Sequence, residues 1–325
     1  MPLDPQFAAA RAAREQAGAR PLYTMSVEEA RAEDLASIRA GGGDPQPVHE
    51  VTDRTSPGPG GDLPVRVYRP ASDTPLPVLV YLFGGGWTLG SVDTSDEVCR
   101  QLANTTPCAV VTVGYRLAPE HRFPAAVEDA YAGLAWVAGH ADELGVDPYR
   151  IAVAGDSAGG NLSAALTLLA RDRGGPALVG QALVYPNTEY RSQTASIREN
   201  TDPWLFNATS VDWYWGHYLA EEKDGYHPLA SPLLADDHTG LPPALVVTAE
   251  YDPLRDQGEQ YAKALETAGV PVTLRRYDGM AHGFFTMSGT VDAARRAQED
   301  VAAHLRRCFG LSRPERPGPR CGRAG

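Results

Sequence analysis

The chain has 325 residues, of which 43% are hydrophobic and 22% are charged, and these proportions are typical of a soluble globular protein. Its formal net charge is -12, from 29 basic and 41 acidic residues, which disfavours binding to nucleic acid or anionic lipid. No run of eighteen apolar residues occurs, so we expect no insertion into a membrane. The first residues lack a basic segment followed by an apolar stretch, so we predict no export signal and expect a cytoplasmic protein.

The N-terminal segment, residues 1–45, precedes the regular part of the chain. It contains a predicted helix over residues 27–39. Three glycines follow this helix at positions 41–43 and are expected to end it, because glycine readily adopts the left-handed conformation found after helix C-termini.

From residue 77 to residue 277, short apolar runs alternate with amphipathic stretches, which predicts an α/β fold with a mostly parallel sheet between helices. Several predicted strands are continuous Val, Ile, Leu and Ala runs, as in strands buried on both faces. The predicted strands are residues 78–83, 109–113, 151–154, 182–185, 245–249 and 272–276. The predicted helices are residues 97–104, 125–137, 161–171, 257–268 and 293–308. Residues 65–68, between two prolines, are predicted as an antiparallel edge strand.

An insertion interrupts the alternation at residues 187–228 and contains a cluster of aromatic side chains. This cluster is Trp204, Phe206, Trp213, Tyr214, Trp215 and Tyr218. Such an insertion is either a helix packed on the domain or, above the carboxyl ends of the strands, the lining of a pocket. The sequence favours neither alternative. The core domain is therefore predicted in two parts, residues 46–186 and 229–311, followed by a disordered proline- and arginine-rich tail at 312–325.

The four cysteines are scattered along the chain and form no Cys-x-x-Cys pair. They are Cys99, Cys108, Cys308 and Cys321. In a chain without an export signal, such thiols are expected to be reduced structural residues rather than disulfides or zinc ligands. We therefore predict no metal site.

The most informative pattern is the pentapeptide Gly-Asp-Ser-Ala-Gly at residues 155–159. It follows the apolar run of residues 150–154 and leads into a predicted helix, so Ser157 falls in a strand-to-helix turn. Small residues on both sides permit a strained turn that exposes the serine hydroxyl, because strand and helix approach closely there. The pentapeptide alone is a weak signal. Its position between strand and helix makes Ser157 the candidate nucleophile.

A serine hydroxyl needs a base to accept its proton, usually a histidine whose tautomer is fixed by a carboxylate. In a doubly wound sheet these groups are expected after later strands, in the order serine, acid, histidine. His282 is the one histidine in a glycine-bounded loop after the last core strand, so we predict it as the base. Asp252 is preferred as the acid because it follows the predicted strand of residues 245–249. Glu250 still belongs to that strand, and Asp256 enters the next helix, where it complements the helix dipole.

The run Phe-Gly-Gly-Gly-Trp at residues 83–87 is predicted to supply hydrogen-bond donors for the oxyanion formed on attack. Successive glycines allow backbone N–H groups to face a ligand with no Cβ in the way. The N–H of Ala158, directly after the nucleophile, would complete this oxyanion hole. A phosphate loop is excluded because no Gly-Lys-Ser/Thr follows, and the glycine spacing excludes a dinucleotide fingerprint. Asp156 is expected to hydrogen-bond nearby loop backbone.

Together these residues resemble the hormone-sensitive lipase-like esterases of the α/β-hydrolase superfamily, called family IV among bacterial esterases. The resemblance runs from about residue 77 to residue 282 and is fainter outside that range. The motifs that carry it are Gly-Asp-Ser-Ala-Gly-Gly at 155–160, Tyr-Arg-Leu-Ala-Pro-Glu-His at 115–121, Phe-Pro-Ala-Ala at 123–126, Asp-Pro-Leu-Arg-Asp at 252–256 and His-Gly-Phe at 282–284.

The resemblance implies an α/β-hydrolase fold and hydrolysis of carboxylic esters of short to medium acyl chain, without cofactor or metal. It implies Ser157 as nucleophile, His282 as base and Asp252 as the residue that orients the base. The implied oxyanion donors are Gly85, Gly86 and Ala158. The N-terminal segment and the insertion would form a helical cap over the substrate pocket, whose candidate aromatic residues are Trp87, Trp204, Phe206, Trp213 and Tyr214.

Other functions stay open on the sequence alone. The same three residues can serve an amide deacetylase or an acyltransferase, and nothing in the sequence separates these from ester hydrolysis. A non-catalytic small-molecule-binding relative is a further alternative, which the complete set of serine, acid and histidine disfavours. The oligomeric state is also open, although the edge of the last strand can mediate a homodimer.

The oxyanion loop departs from the family pattern at Phe83, where His-Gly-Gly-Gly usually begins. Because the donors are backbone amides of later glycines, we expect the hole to persist, with apolar packing in place of a side-chain hydrogen bond. We predict that the wild-type protein is active and that Phe83→His is tolerated, with ester turnover of both measured side by side. Turnover by the substituted protein alone would instead mean that the natural site has lost its activity.

Overall fold

The computed structural model describes residues 2–311, so the predicted disordered tail at 312–325 lies outside the described residues. The fold is built around one central sheet. Its strands are β1 (Glu50–Gly58), β2 (Gly61–Arg69), β3 (Leu76–Leu82), β4 (Ala109–Val113), β5 (Val146–Asp156), β6 (Leu178–Val184), β7 (Ala244–Tyr251) and β8 (Val272–Ala281). They are arranged in the order β1-β2-β4-β3-β5-β6-β7-β8. The pairs β1–β2 and β2–β4 are antiparallel, and all pairs from β4 to β8 are parallel.

Helices cover both faces of this sheet. They are α1 (Pro5–Gln16), α2 (Val27–Gly42), α3 (Asp96–Thr105), α4 (Ala125–Gly139), α5 (Ala141–Leu144), α6 (Ala158–Asp172), α7 (Ala195–Glu199), α8 (Ala208–Tyr218), α9 (Arg255–Thr267) and α10 (Asp292–Cys308). Short 3₁₀ turns lie at Leu22–Thr24, Glu222–Tyr226, Pro232–Leu234 and Phe284–Thr286. None of the helices within residues 2–311 combines the length and the apolar character needed to cross a lipid bilayer.

The core forms on both sides of the sheet because side chains alternate along each buried strand. In β5, Ile151 and Val153 face the side covered by α4 and α6, whereas Ala152 and Ala154 face the side covered by α3 and α10. All seven residues of β3 are buried. The predicted α/β fold, with its six core strands and their flanking helices, is therefore confirmed.

Residues 65–68 do form an antiparallel strand, but the prediction that this strand lies at the edge of the sheet is wrong. These residues belong to β2, which pairs with β1 on one side and with β4 on the other, so the edge is β1. β1 escaped sequence analysis because it is polar and buries a single residue, Ser56, which leaves no alternating apolar pattern. α1 was also missed, since it buries only Phe7. Helix α2 continues through the first two glycines and ends at Gly42; Gly43, whose φ is 78°, is the residue that caps it.

Three of the four cysteines lie within the described residues and are free thiols. Cys99 and Cys108 are buried, and Cys308 is partly buried. Burial raises the pKa of all three thiols, which keeps them protonated at neutral pH. Cys321 lies outside the described residues.

An ion pair with a buried carboxylate connects α4 to the loop after β4. Asp129, with a side chain that is 0% exposed, accepts hydrogen bonds from the backbone N of Arg116 at 2.9 Å and from its Nε and Nη2 at 2.7 Å each. We predict that Asp129→Ala lowers the free energy of unfolding by about 3 kcal/mol, because it leaves these donors without their charged partner. Urea unfolding followed by circular dichroism measures this loss.

The matched control for that variant is Glu128→Ala. Glu128 is the neighbouring residue, and its carboxylate and its partner Arg173 are both partly exposed, with side-chain exposures of 33% and 41%. Exposed pairs contribute about 1 kcal/mol or less, so this substitution should have little effect. Equal losses in the two variants would show that burial does not determine the strength of the Asp129 interaction.

Candidate active site

Ser157 occupies a strained turn between β5 and α6. The strand ends at the residue before it and the helix begins at the residue after it, so this serine alone makes the turn. Its φ of 56° is rare for a residue other than glycine and is maintained only where the surroundings enforce it. Its backbone N–H donates to the carbonyl of Val184 in β6, at 2.8 Å. The neighbouring strand therefore stabilises the conformation that presents the hydroxyl.

Two glycines make this turn sterically possible. A Cβ added to Gly159 would lie 1.9 Å from the carbonyl oxygen of Leu82, and one added to Gly155 would lie 2.4 Å from the backbone of Gly159. Both distances are far below van der Waals contact. The small residues of the pentapeptide are therefore required by the close approach of α6 to the end of β3, as the pattern predicted.

The structure brings the three predicted residues Ser157, His282 and Asp252 into one hydrogen-bonded chain. His282 Nε2 lies 2.9 Å from Ser157 Oγ, and His282 Nδ1 lies 2.7 Å from Asp252 Oδ2. Asp252 is fully buried, and its Oδ1 accepts a hydrogen bond from the N–H of Leu254 at 2.8 Å. A carboxylate held in this way fixes the imidazole with its Nδ1 proton toward the acid, which leaves Nε2 free to accept the serine proton.

The two other carboxylates considered for the acid have different contacts. Glu250 Oε2 accepts a hydrogen bond from the N–H of Gly279 at 2.7 Å. Asp256 accepts from the backbone N of Ser196 at 2.8 Å and also bonds the guanidinium of Arg255. Asp252, as preferred from the sequence, is the carboxylate in hydrogen-bond contact with the imidazole.

Asp156, next to the serine, supports the glycine loop. Its Oδ1 accepts hydrogen bonds from the hydroxyl of Tyr81 at 2.7 Å and from the N–H of Gly84 at 3.2 Å. Burial raises the pKa of this carboxyl group, and the hydrogen bond from Tyr81 opposes that shift. The predicted bond from Asp156 to nearby loop backbone is confirmed.

The glycine loop places backbone amides beside Ser157 in the wall of one cavity. Gly85 and Gly86 have φ values of 108° and 57°, and a Cβ on Gly86 would lie 2.0 Å from the ring of Tyr214. Within residues 2–311, no backbone acceptor bonds the N–H of either glycine. Ala158 is the first residue of α6, where helix geometry provides no partner for the N–H. All three N–H groups thus lack a backbone partner within the described residues, and Gly85 and Gly86 line the cavity together with Ser157.

Phe83, which replaces the family's usual histidine, is 2% exposed and braces the start of this loop by apolar packing. Its ring stacks on Tyr115, with 4.3 Å between centroids and 17° between planes. The Tyr115 hydroxyl in turn donates to the carbonyl of Phe83 at 2.8 Å. The ring stacking and the hydrogen bond from Tyr115 to the main chain therefore stabilise the loop at the position where the family usually has a histidine.

The cavity around Ser157 and His282 has a volume of about 260 Å³. Four of the five predicted pocket aromatics line it, namely Trp204, Phe206, Trp213 and Tyr214. Trp87 is not among the lining residues, and its assignment to the pocket is wrong. Its φ of 57° turns the chain so that the indole, 1% exposed, stacks on Tyr218 of α8 with 4.1 Å between centroids.

Two aromatic rings contact the imidazole. Phe206 of the insertion stacks on His282, with 4.1 Å between centroids and 22° between planes. Tyr185 lies with its ring centroid 4.5 Å from that of His282. Sequence analysis missed Tyr185, although its position directly after β6, at the carboxyl end of a core strand, is a signal that could have found it.

A family model described as alpha/beta hydrolase fold matches residues 79–286. The chain belongs to the α/β-hydrolase family. This α/β-hydrolase is 46% identical over 273 residues to the carboxylic ester hydrolase LipN of Mycobacterium tuberculosis, an alignment that covers 81% of this chain and 73% of the relative. It is 47% identical over 252 residues to the carboxylesterase NlhH of the same species, covering 76% of this chain and 79% of that one. The predicted resemblance to the hormone-sensitive lipase-like esterases is confirmed.

Solved structures agree with this family membership. The hyperthermophilic esterase from the archaeon Pyrobaculum calidifontis matches with a TM-score of 0.89 and 45% identity, covering 94% of this chain and 99% of that chain. An ester hydrolase from the metagenome of Lake Arreo matches with a TM-score of 0.91 and 38% identity, covering 95% of this chain and 100% of that chain. Both likenesses extend over nearly the whole α/β-hydrolase chain.

The N-terminal segment of this α/β-hydrolase also lines the cavity, through residues that sequence analysis did not identify. These include Phe7 and Arg14 of α1, Tyr23 of a 3₁₀ turn, and Asp34 and Ile38 of α2. They lie more than a hundred residues before Ser157 in the chain, and no local pattern links them to it. The side chains of α2 and α8 meet in a small apolar cluster around Ala30, Leu89 and Tyr214.

The contact between Gly159 and Leu82 leads to a test of the turn. We predict that Gly159→Ala lowers the midpoint of thermal unfolding by several degrees and reduces ester hydrolysis, because the added methyl group displaces α6 from the end of β3. Differential scanning calorimetry and turnover of p-nitrophenyl butyrate measure the two effects.

Gly216→Ala is the matched control for this variant, because Gly216 is also helical, lies exposed in α8 and has open space at its Cβ. Alanine favours a helix over glycine by about 1 kcal/mol, so the control should be neutral or stabilising. An unfolding midpoint of Gly159→Ala equal to that of wild type would contradict the steric argument.

Proposed function

We propose that this protein is a serine carboxylesterase that hydrolyses small carboxylic esters through an acyl-enzyme intermediate. The observation that carries this proposal is the hydrogen-bonded chain from Asp252 Oδ2 through His282 to Ser157 Oγ, at 2.7 and 2.9 Å, beside free backbone donors in one cavity. The names of the relatives, carboxylic ester hydrolase and carboxylesterase, support the same reaction class.

In the first half of the proposed reaction, Ser157 Oγ attacks the carbonyl carbon of the ester while His282 Nε2 accepts the hydroxyl proton. The carbonyl oxygen gains negative charge in the tetrahedral intermediate. The N–H groups of Gly85, Gly86 and Ala158 stabilise that charge as hydrogen-bond donors that are oriented before the reaction begins. His282 then protonates the departing alcohol, which leaves the acyl group bound to the serine oxygen.

In the second half, water enters the place of the alcohol and loses a proton to His282 as its oxygen attacks the acyl carbon. The same backbone donors stabilise the second tetrahedral intermediate. His282 returns its proton to Ser157 Oγ, and the carboxylic acid leaves. Asp252 remains ionised throughout, holds the imidazole in the reactive tautomer and stabilises the imidazolium formed in each half.

The cavity supports small esters of short to medium acyl chain as substrates. Its volume of about 260 Å³ is slightly below the roughly 300–1,000 Å³ of most small-molecule sites, which favours small substrates. Its walls include the rings of Trp204, Phe206 and Trp213, which favour apolar acyl or alcohol groups. No cofactor enters the proposed reaction.

We further propose that residues 1–45 and 187–228 form a cap over this cavity. Arg31 of α2 supports this, because it donates to the carbonyls of Thr88 and Ala118 at 2.9 and 3.0 Å and pairs with Glu120 at 2.7 Å. In α1, Arg11 pairs with Asp202 of the insertion at 2.6 Å. These contacts connect the two segments to the core and to each other.

The amide-hydrolase, acyltransferase and non-catalytic alternatives have no observation that favours them. The homodimer suggested for the edge of the last strand stays a prediction; β8 does form an outer edge of the sheet and exposes Leu274. The cytoplasmic location also stays a prediction.

The deciding experiment measures hydrolysis of p-nitrophenyl esters of graded acyl length, with p-nitroacetanilide as the amide. We expect turnover of short and medium esters, a loss of kcat of roughly 10⁴-fold or more in Ser157→Ala, and a loss of about 10⁴-fold in Asp252→Asn, which disturbs the histidine tautomer. Circular dichroism establishes that each variant is folded.

Ser163→Ala is the matched control. Ser163 lies in α6, the helix that follows Ser157, and its hydroxyl donates to the carbonyl of Gly159 at 2.8 Å instead of facing His282. It should retain activity close to that of wild type. An inactive wild-type protein that still binds esters would support the non-catalytic alternative, and faster turnover of the amide would support the amide hydrolase.

A further inference from the structure

Asp34 is an acidic residue in the wall of the cavity that contains Ser157. It lies on α2, and its side chain lines the space together with Tyr214, Phe206 and His282. The residue is half-buried as a whole, and its carboxyl group has no hydrogen-bond or ion-pair partner within residues 2–311. Its Oδ2 atom is enclosed by protein, so a molecule in the cavity would contact the group through Oδ1. A polar oxygen is thus left unsatisfied in a largely aromatic wall.

An unsatisfied carboxyl group in such a place is energetically costly, and buried polar groups in folded proteins are nearly always hydrogen-bonded. The surroundings do not compensate for this cost. Burial, with a smaller contribution from the negative charge of Asp156, raises the pKa of Asp34 to about 7. Arg11, which lines the same cavity, is occupied by ion pairs with Asp202 and Glu15.

When ionised, the carboxylate only accepts hydrogen bonds, so its partner must be a donor; when protonated, the group can also donate through its O–H. A hydroxyl or ammonium donor that binds the group favours the ionised form, and it must reach the cavity in which the ester is bound. A donor on the substrate meets both conditions.

We propose that Asp34 is a specificity-determining residue that binds a hydrogen-bond donor, a hydroxyl or an ammonium group, on the ester substrate. The preferred substrates would be small hydroxy- or amino-substituted esters. This inference rests on the proposed esterase function of the same cavity. An ester with a methyl group in place of the donor leaves Asp34 unsatisfied, which is the situation in which enzymes discriminate most strongly between isosteres.

The test compares kcat/KM for pairs of esters in which a donor is replaced by an apolar group of similar size. On the alcohol side, the pairs are ethylene glycol monobutyrate with propyl butyrate, and dimethylaminoethyl butyrate, protonated at neutral pH, with isoamyl butyrate. On the acyl side, the pair is ethyl β-hydroxybutyrate with ethyl isovalerate. Each pair is measured by pH-stat titration with wild type, Asp34→Leu and Asp34→Asn.

For at least one pair, we expect the ratio of kcat/KM for the donor ester to kcat/KM for its apolar counterpart to be roughly tenfold to a hundredfold higher in wild type than in Asp34→Leu. Asp34→Asn should keep part of a preference for hydroxyl, because its amide oxygen accepts, but lose a preference for ammonium. The pair that responds identifies the source of the donor. Ratios that agree within about twofold between wild type and Asp34→Leu in all pairs would overturn the proposal.

Glu33→Gln is the matched control, since it removes a neighbouring charge on the same helix from a residue that does not line the cavity. It should leave every ratio unchanged. The same ester pairs are also titrated calorimetrically into Ser157→Ala and into the double variant with Asp34→Leu. Binding preference is thereby measured without turnover, so an inactive wild type would contradict the esterase proposal while the role of Asp34 would still be decided.

Discussion

The close passage of α6 against the end of β3 is the constraint on which the site depends. At Gly159 the helix backbone approaches the carbonyl of Leu82 so closely that even a methyl group does not fit. The turn at Ser157 must therefore be sharp, with a φ of 56°. The residue after Leu82 begins the glycine loop, so this contact joins the turn that carries Ser157 to the loop that carries Gly85 and Gly86. In the proposed reaction, groups held in position before the substrate binds lower the barrier through preorganisation.

Strand register provides the remaining geometry. β7 and β8 are parallel neighbours in which Tyr251 is paired with Ala281. The register shifts between Ala249 and Tyr251, and this irregularity is what brings Ala281 opposite Tyr251. Asp252 follows Tyr251 and His282 follows Ala281, so the two side chains emerge side by side at the carboxyl edge of the sheet and form a 2.7 Å hydrogen bond. The chain between these two residues passes through α9, which returns it to the start of the adjacent strand.

The sequence was sufficient for those parts of the molecule in which a local pattern reflects a local cause. Continuous apolar runs predicted the six core strands, and a small-residue turn between strand and helix indicated Ser157. It was insufficient where contacts join distant segments. β1 is polar because one face is solvated, and its existence depends on pairing with β2. Trp87 has the composition of a pocket residue, but its backbone conformation turns it toward α8.

The stacking of Phe206 on His282 joins the insertion to the imidazole. The ring belongs to the insertion, lines the cavity and covers one face of His282. The imidazole is therefore held in two ways, because the hydrogen bond to Asp252 fixes its Nδ1 atom and the stacked ring restricts the tilt of its plane. A substitution that shifts the insertion thus reorients the imidazole without altering any of the three hydrogen-bonded residues.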